Sequence, residues 1–177
     1  MKTLFFLFFT ITFSVMTIQA EPAGSGTAST KRAIFSQYCF WTGEMKLGQV
    51  DGVVRTEAGF FKGHEVTLVD YDPQRITLEK LAQAAKSAGV ADRIHLPSGS
   101  TSASSSVGGV RVGAPIDGSY RAAPSSDQKK QLEGTPYARL KLTPEQATKV
   151  NAFARSNPDK AAEWLAPAQR ANLASAR

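Results

Sequence analysis

Cysteine is almost absent from this chain: Cys39 stands alone among 177 residues. One thiol cannot close an internal disulfide, so the packed core has to hold the fold together. Histidine is nearly as scarce. His64 and His95 are the only two, and with Cys39 they make a trio where a closed structural zinc site needs four ligands. After the first twenty residues no run is long and apolar enough to cross a bilayer. The net charge of +6 is mildly basic, yet Lys and Arg are interspersed with Asp and Glu, and no basic stretch is interleaved with aromatics. Nucleic acid is therefore not an expected partner. The sequence also has no internal repeat.

What is present begins with a leader. Residues 1–20, MKTLFFLFFTITFSVMTIQA, combine a basic start at Lys2, an apolar run from Leu4 to Ile18, and the small residue Ala20. This is the pattern of a secretory signal peptide, so the mature chain is expected to start near Glu21 and to be exported to the periplasm or outside the cell. No stable membrane insertion is expected once the leader is removed. Removal of Lys2 would leave 20 basic against 15 acidic residues. A lone thiol in an oxidising compartment is either buried and inert or exposed because chemistry uses it.

Residues 21–30 (EPAGSGTAST) read as a flexible lead-in of small residues. Ala33-Ile34-Phe35 begins a strand ending near Tyr38, and Thr42–Val50 carries an imperfect helical face weakened by Gly43 and Gly48. Val53–Phe60 reads as a strand, and Val66–Tyr71, rich in β-branched residues and closed by Asp72-Pro73, as another. Thr77 is a good N-cap for a helix over Thr77–Ala88, whose buried stripe is expected to be Leu78, Leu81, Ala82, Ala85 and Ala88, with Gly89 as terminator. A further strand is expected at Arg93–Leu96. The order β-α-β-β-α-β over 31–97 predicts an α+β fold, a compact split βαβ (ferredoxin-like) sandwich with a mainly antiparallel sheet and its helices on one face.

Residues 98–106 form a low-complexity Ser-rich loop, and 107–177 a C-terminal extension with helices. Val107–Val112 is expected to add one edge strand. Thr143-Pro144-Glu145-Gln146 is a strong helix start, with Pro at the first position and Gln three residues after the cap. That helix should reach about Arg155. A short helix is expected over Asp159–Leu165, with fraying from Ala168 onward. Trp164 and His64 read as structural, His95 as a solvated strand-end residue, and Lys129-Lys130 as a solvated basic face.

Cys39 falls where a strand passes into a helix. Backbone N–H groups at a helix N-terminus stabilise a thiolate, and Phe40 with Trp41 can wall an apolar pocket beside it. A thiolate nucleophile also needs a proton donor, and Glu44 and Glu65 are the nearest carboxyls in sequence to the pocket elements. The same residues are compatible with a simply buried, inert thiol.

YCFWTGE (38–44) resembles the active-site motif of the A-type peptide methionine sulfoxide reductases. The resemblance continues in order through Gly52, Val53, Thr56, Gly59 and Phe60, then through GHEVTLVDYDP (63–73). Weaker echoes follow at Asp117-Gly118-Ser119-Tyr120-Arg121 and at LTPEQ (142–146). This resemblance implies that Cys39 is the nucleophile, that Phe40 and Trp41 hold the substrate methyl group, and that Glu65 protonates the sulfoxide oxygen with Asp117 and Tyr120 as polar helpers. It implies oxidised methionine in peptides or proteins as substrate, an external thiol as reductant and no cofactor. The chain departs from the family pattern in four ways. Tyr38 replaces the glycine before the cysteine, the segment between Gly59 and His64 is short, matching Glu65 needs a one-residue gap, and there is no second cysteine. Three readings follow: a compact reductase of this type, a relative that kept the fold as an exported binding or structural module, and an unrelated small α+β envelope protein.

Overall fold

The computed structural model describes residues 29–100 and 104–175. The leader and nearly all of the lead-in lie outside the described residues. Among the described residues seven strands form one sheet: β1 (Lys31–Ser36), β2 (Val53–Phe61), β3 (His64–Tyr71), β4 (Arg93–His95), β5 (Ser106–Val107), β6 (Val110–Val112) and β7 (Arg121–Ala122). Their order is β5-β6-β4-β1-β3-β2-β7. The central β4-β1-β3-β2 pairings are all antiparallel; among the named strands β4 with β6 runs parallel, as does the isolated bridge of Pro97 with Ile116. With α1 (Phe40–Gly48) between β1 and β2, and α2 (Leu78–Ser87) between β3 and β4, this is the expected α+β split βαβ arrangement.

β1 and β3 are central, and from Ala33 and from Val66 onward every residue in them is buried whichever face it takes. Register assigns their two faces. Ala33, Phe35, Val69 and Tyr71 pack with Leu47 of α1 and with Leu81, Ala82 and Ala85 of α2. Ile34, Phe61, Val66 and Leu68 face the other way, where Ile116 and Tyr120 cover them. Thr77 caps α2 by accepting the Lys80 N–H at 3.3 Å, and Gly89, at φ +71°, ends it. Ala88, expected in the buried stripe, is exposed, because the helix stops one residue earlier and its C-cap turns outward.

The C-terminal part holds α3 (Pro144–Phe153), α4 (Pro158–Glu163) and α5 (Pro167–Ser175). Thr143 and Gln146 form the capping box anticipated for α3. The expected fraying from Ala168 is corrected: that stretch is helical, started by Pro167 and joined to α3 by Gln169, which bonds Gln146 and the Lys141 carbonyl. The single expected edge strand at 107–112 is instead a hairpin, β5 and β6, broken at Gly108-Gly109. β7 gave no strand signal because it is only two residues long. None of the helices among the described residues is long and apolar enough to cross a membrane.

Candidate functional site

β1 ends at Ser36 and α1 begins at Phe40, so Cys39 is the N-cap residue, with extended backbone at φ −142° and ψ 115°. Its carbonyl accepts the Gly43 N–H at 3.0 Å, while its side chain makes no capping bond. Cys39 is half-buried. The capping role goes to Glu65 at the start of β3, whose Oε2 accepts the Phe40 N–H at 3.0 Å. One of the helix's orphan donors is thereby satisfied by a carboxylate attached beside the Cys39–Phe40 peptide.

Three aromatic rings cluster at the start of α1. The buried Phe40 ring meets Trp41 edge-on at 5.8 Å and Phe60 edge-on at 5.6 Å. Phe60 is the register partner of Glu65 across the β2–β3 pair, which explains how one end of the hairpin supplies both an acid and an apolar wall. Phe60 was not anticipated as a site residue. Trp41 is 36 % exposed, and Lys130 Nζ lies 5.3 Å from its ring centre. Tyr38, in the place of the family's glycine, is 97 % exposed, so its bulk is directed into solvent. Close packing lies one turn further along instead: a Cβ on Gly43 would stand 2.2 Å from Thr67 Oγ1.

The remaining candidates are elsewhere. Glu44 is fully buried, accepts the Lys129 backbone N–H at 2.7 Å and is ion-paired to the Lys129 ammonium. It anchors the C-terminal segment to α1 and is not available as an acid. Lys129 and Lys130, expected on a solvated face, are thus both engaged, one with Glu44 and one over Trp41. Tyr120 donates to Glu57 Oε1 at 2.7 Å, and its ring lies against Gly59, on the sheet face away from α1. Burial, reinforced by the bond to Glu57, pushes its phenol well above the usual range. Asp117 pairs with Lys62 at 2.6 Å and also accepts from Ser119, contacts that hold its carboxyl far below the ordinary value. Cys39, Phe40, Trp41 and Glu65 are therefore brought together, while Asp117 and Tyr120 are held by other partners.

His95 corrects another expectation. It is 6 % exposed, and its ring bonds Ser36 Oγ at 2.9 Å and the Ala114 carbonyl at 2.7 Å. Among the described residues no three His, Cys, Asp or Glu side chains converge to hold a metal ion.

No family model matches the chain. Individual relatives do. The chain is 33 % identical over 75 residues to peptide methionine sulfoxide reductase MsrA 1 of Nostoc sp., a match covering 33 % of this chain and 46 % of that protein. It is 36 % identical over 75 residues to the MsrA of Pseudomonas syringae pv. tomato, covering 33 % and 35 %. A third, the MsrA of Methanococcus maripaludis, is 33 % identical over 73 residues, covering 32 % and 46 %. Over part of its length, this chain is a divergent relative of the A-type peptide methionine sulfoxide reductases.

The chain spans less than half the length of these MsrA relatives. The 75 aligned positions also occupy only 33 % of a 177-residue chain, which is fewer residues than positions. The relatives thus carry positions within the match that have no counterpart here, in keeping with the short segment between Gly59 and His64.

Proposed function

We propose that this protein reduces (S)-methionine sulfoxide in peptides or proteins through Cys39, using an external thiol. The observation that carries this reading is the Glu65 carboxylate bonded to the amide beside Cys39, where the Phe40 ring packs edge-on against Trp41 and Phe60. An aromatic cluster suits the methyl and thioether part of the substrate. Cys39 gives up its thiol proton and attacks the sulfoxide sulfur, and Glu65 takes that proton and passes it to the sulfoxide oxygen. The sulfide is then released as methionine, and the oxygen remains on the enzyme as Cys39 sulfenic acid. One external thiol displaces that hydroxyl as water and leaves a mixed disulfide. A second thiol attacks the disulfide, restores Cys39 and departs as the oxidised reductant. Because the chain holds no resolving cysteine, both reducing equivalents come from outside it. The leader-like first twenty residues support an envelope or extracellular setting, where such repair would act on exposed methionines.

The test is turnover of a methionine sulfoxide peptide with dithiothreitol. Cys39→Ser should abolish reduction. Glu65→Gln keeps an oxygen to accept the Phe40 N–H but has no proton to give, so kcat should fall about a hundredfold with the helix intact. Trp41→Ala should raise KM more than it lowers kcat.

A second reading, a binding module that kept the fold, is favoured by one observation: Asp117 and Tyr120 are committed to Lys62 and Glu57 instead of Cys39. Peptide binding that survives Cys39→Ser, with no reduction by the native chain, would establish that reading and sink the reductase.

A further inference from the structure

A cavity of about 360 Å³ lies at the hairpin end of the sheet, lined by Ser36, Lys62, His64, Asp92, Arg93 and His95. Its volume is at the lower end of the range for small-molecule sites. Gln37 and Ala114 complete its lining, and the strand registers put its Ser36, His64, Arg93 and His95 side chains on the sheet face away from α1. Ser36 pairs with Arg93, and Ile34 with His95, so all four side chains project from the face opposite Phe35 and Ile94, which pack towards the helices. His64 shares that face with Val66 by alternation along β3.

His95 is built into the cavity wall with little freedom. Phe61 meets its ring edge-on at 4.9 Å, and the Gly113 backbone lies so close that a Cβ there would stand 2.3 Å from the imidazole. The Ala114 carbonyl can only accept, so Nδ1 carries the proton and Nε2 is the acceptor for the Ser36 hydroxyl. Burial, with Arg93 and His64 nearby, pushes the His95 pKa down and keeps the ring in this neutral form. With its proton committed to Nε2, Ser36 Oγ has only lone pairs left to offer.

The rim has the opposite character. Arg93 and His64 side chains have no hydrogen-bond or ion-pair partner among the described residues, whereas Lys62 is already neutralised by Asp117. Asp92 adds a negative charge at the same rim. Asp92 offsets the charge of Arg93, so the rim holds no surplus positive charge for a dianion, and what it offers a monoanion is the unpartnered Arg93 fork. The planar fork of Arg93 matches a carboxylate in two parallel bonds.

We propose that this cavity binds a small hydroxyl-bearing carboxylate, with Arg93 and His64 holding the carboxylate and Ser36 Oγ accepting from the hydroxyl. The site is independent of the Cys39 chemistry. The chain's two histidines both line it, so the imidazole carbon-bound proton signals of the full chain report on this cavity and nothing else. Glycolate and acetate are the probes, titrated at constant ionic strength with chloride as the reference. The expected result is saturable shifts of both imidazoles with millimolar affinity, glycolate binding several-fold more tightly than acetate. Arg93→Ala should remove binding of both. Arg93→Lys, which keeps the charge but loses the fork, should weaken both. Ser36→Ala should leave acetate binding and erase the advantage of glycolate. The proposal is overturned by the absence of saturable shifts, by shifts unchanged in Arg93→Ala, or by equal affinity for the two probes.

Discussion

Lys149 is 2 % exposed, and its ammonium donates to the Gly48 carbonyl at 3.0 Å and the Val50 carbonyl at 2.8 Å, with the Trp164 ring 5.3 Å away. These carbonyls close the C-terminal end of α1, where a cation complements the helix dipole. Burial nevertheless pushes its pKa down from 10.5 to about 8. Below pH 8 both folded and unfolded chains hold this proton, and the group contributes no pH dependence. Between pH 8 and 10.5 the unfolded chain keeps a proton that the folded chain has lost, so raising the pH favours the fold. Tyr71 works in the opposite direction at higher pH. Burial raises its phenol, the folded chain retains the proton, and stability falls above the unfolded value of 10.0. The clean window is therefore pH 8 to 9.5. Denaturation midpoints should rise across it in the native chain and rise less in Lys149→Met. Equal slopes for the two proteins would show that Lys149 carries no such linkage.

A buried ion pair also ties α1 to the segment between β7 and α3. Lys129, in left-handed backbone at φ +50°, places both its backbone N–H and its ammonium on fully buried Glu44, and the ammonium also reaches the Thr56 carbonyl at 2.6 Å. Removing the lysine leaves a buried, unpaired carboxylate. Lys129→Ala should therefore cost about 3 kcal/mol in a denaturant titration, whereas Lys130→Ala, which loses an exposed ion pair with Glu133 and the contact over Trp41, should stay within about 1 kcal/mol. Losses of equal size would refute the anchoring role of Glu44. This pair also marks where the sequence stopped being readable. Capping residues such as Thr77 and Thr143 act on N–H groups three positions away, so their helices were legible, as were the β-branched run of β3 and the Cys39 strand-to-helix junction. Glu44 and Lys129 are separated by 85 positions, and Ser36 and His95 by 59. No local pattern distinguishes such partners from solvated side chains. The same holds for Phe60, which enters the aromatic cluster at the start of α1 only because the β2–β3 register sets it opposite Glu65. Local signals reach a few residues, and long-range partners are decided by topology.

At the scale of the molecule, the outer edge of β2 shows how the two parts of the chain depend on each other. β7 pairs with it only at Gly59 and Phe60. Before that point the edge is covered by side chains of the C-terminal part: Thr148 Oγ1 accepts the Thr56 N–H at 3.0 Å, and the Gln128 amide both accepts from the Ala58 N–H at 3.0 Å and donates to its carbonyl at 2.8 Å. Detaching the extension would strip these groups and bare a sheet edge. It would also strand Glu44 and expose the cluster of Tyr137, Val150, Ala154, Ala161 and Leu165. The two parts should therefore unfold in one transition. The chain's two tryptophans allow a direct measurement, because Trp41 lies in α1 and Trp164 caps the C-terminal end of α4. Single-tryptophan variants, Trp164→Phe and Trp41→Phe, each report one part by fluorescence. Each variant's fluorescence transition should coincide with its own far-ultraviolet circular dichroism transition. If the Trp164 signal is lost at lower denaturant than the dichroism of the same protein, the extension detaches first, and the edge-covering bonds are weaker than the geometry requires.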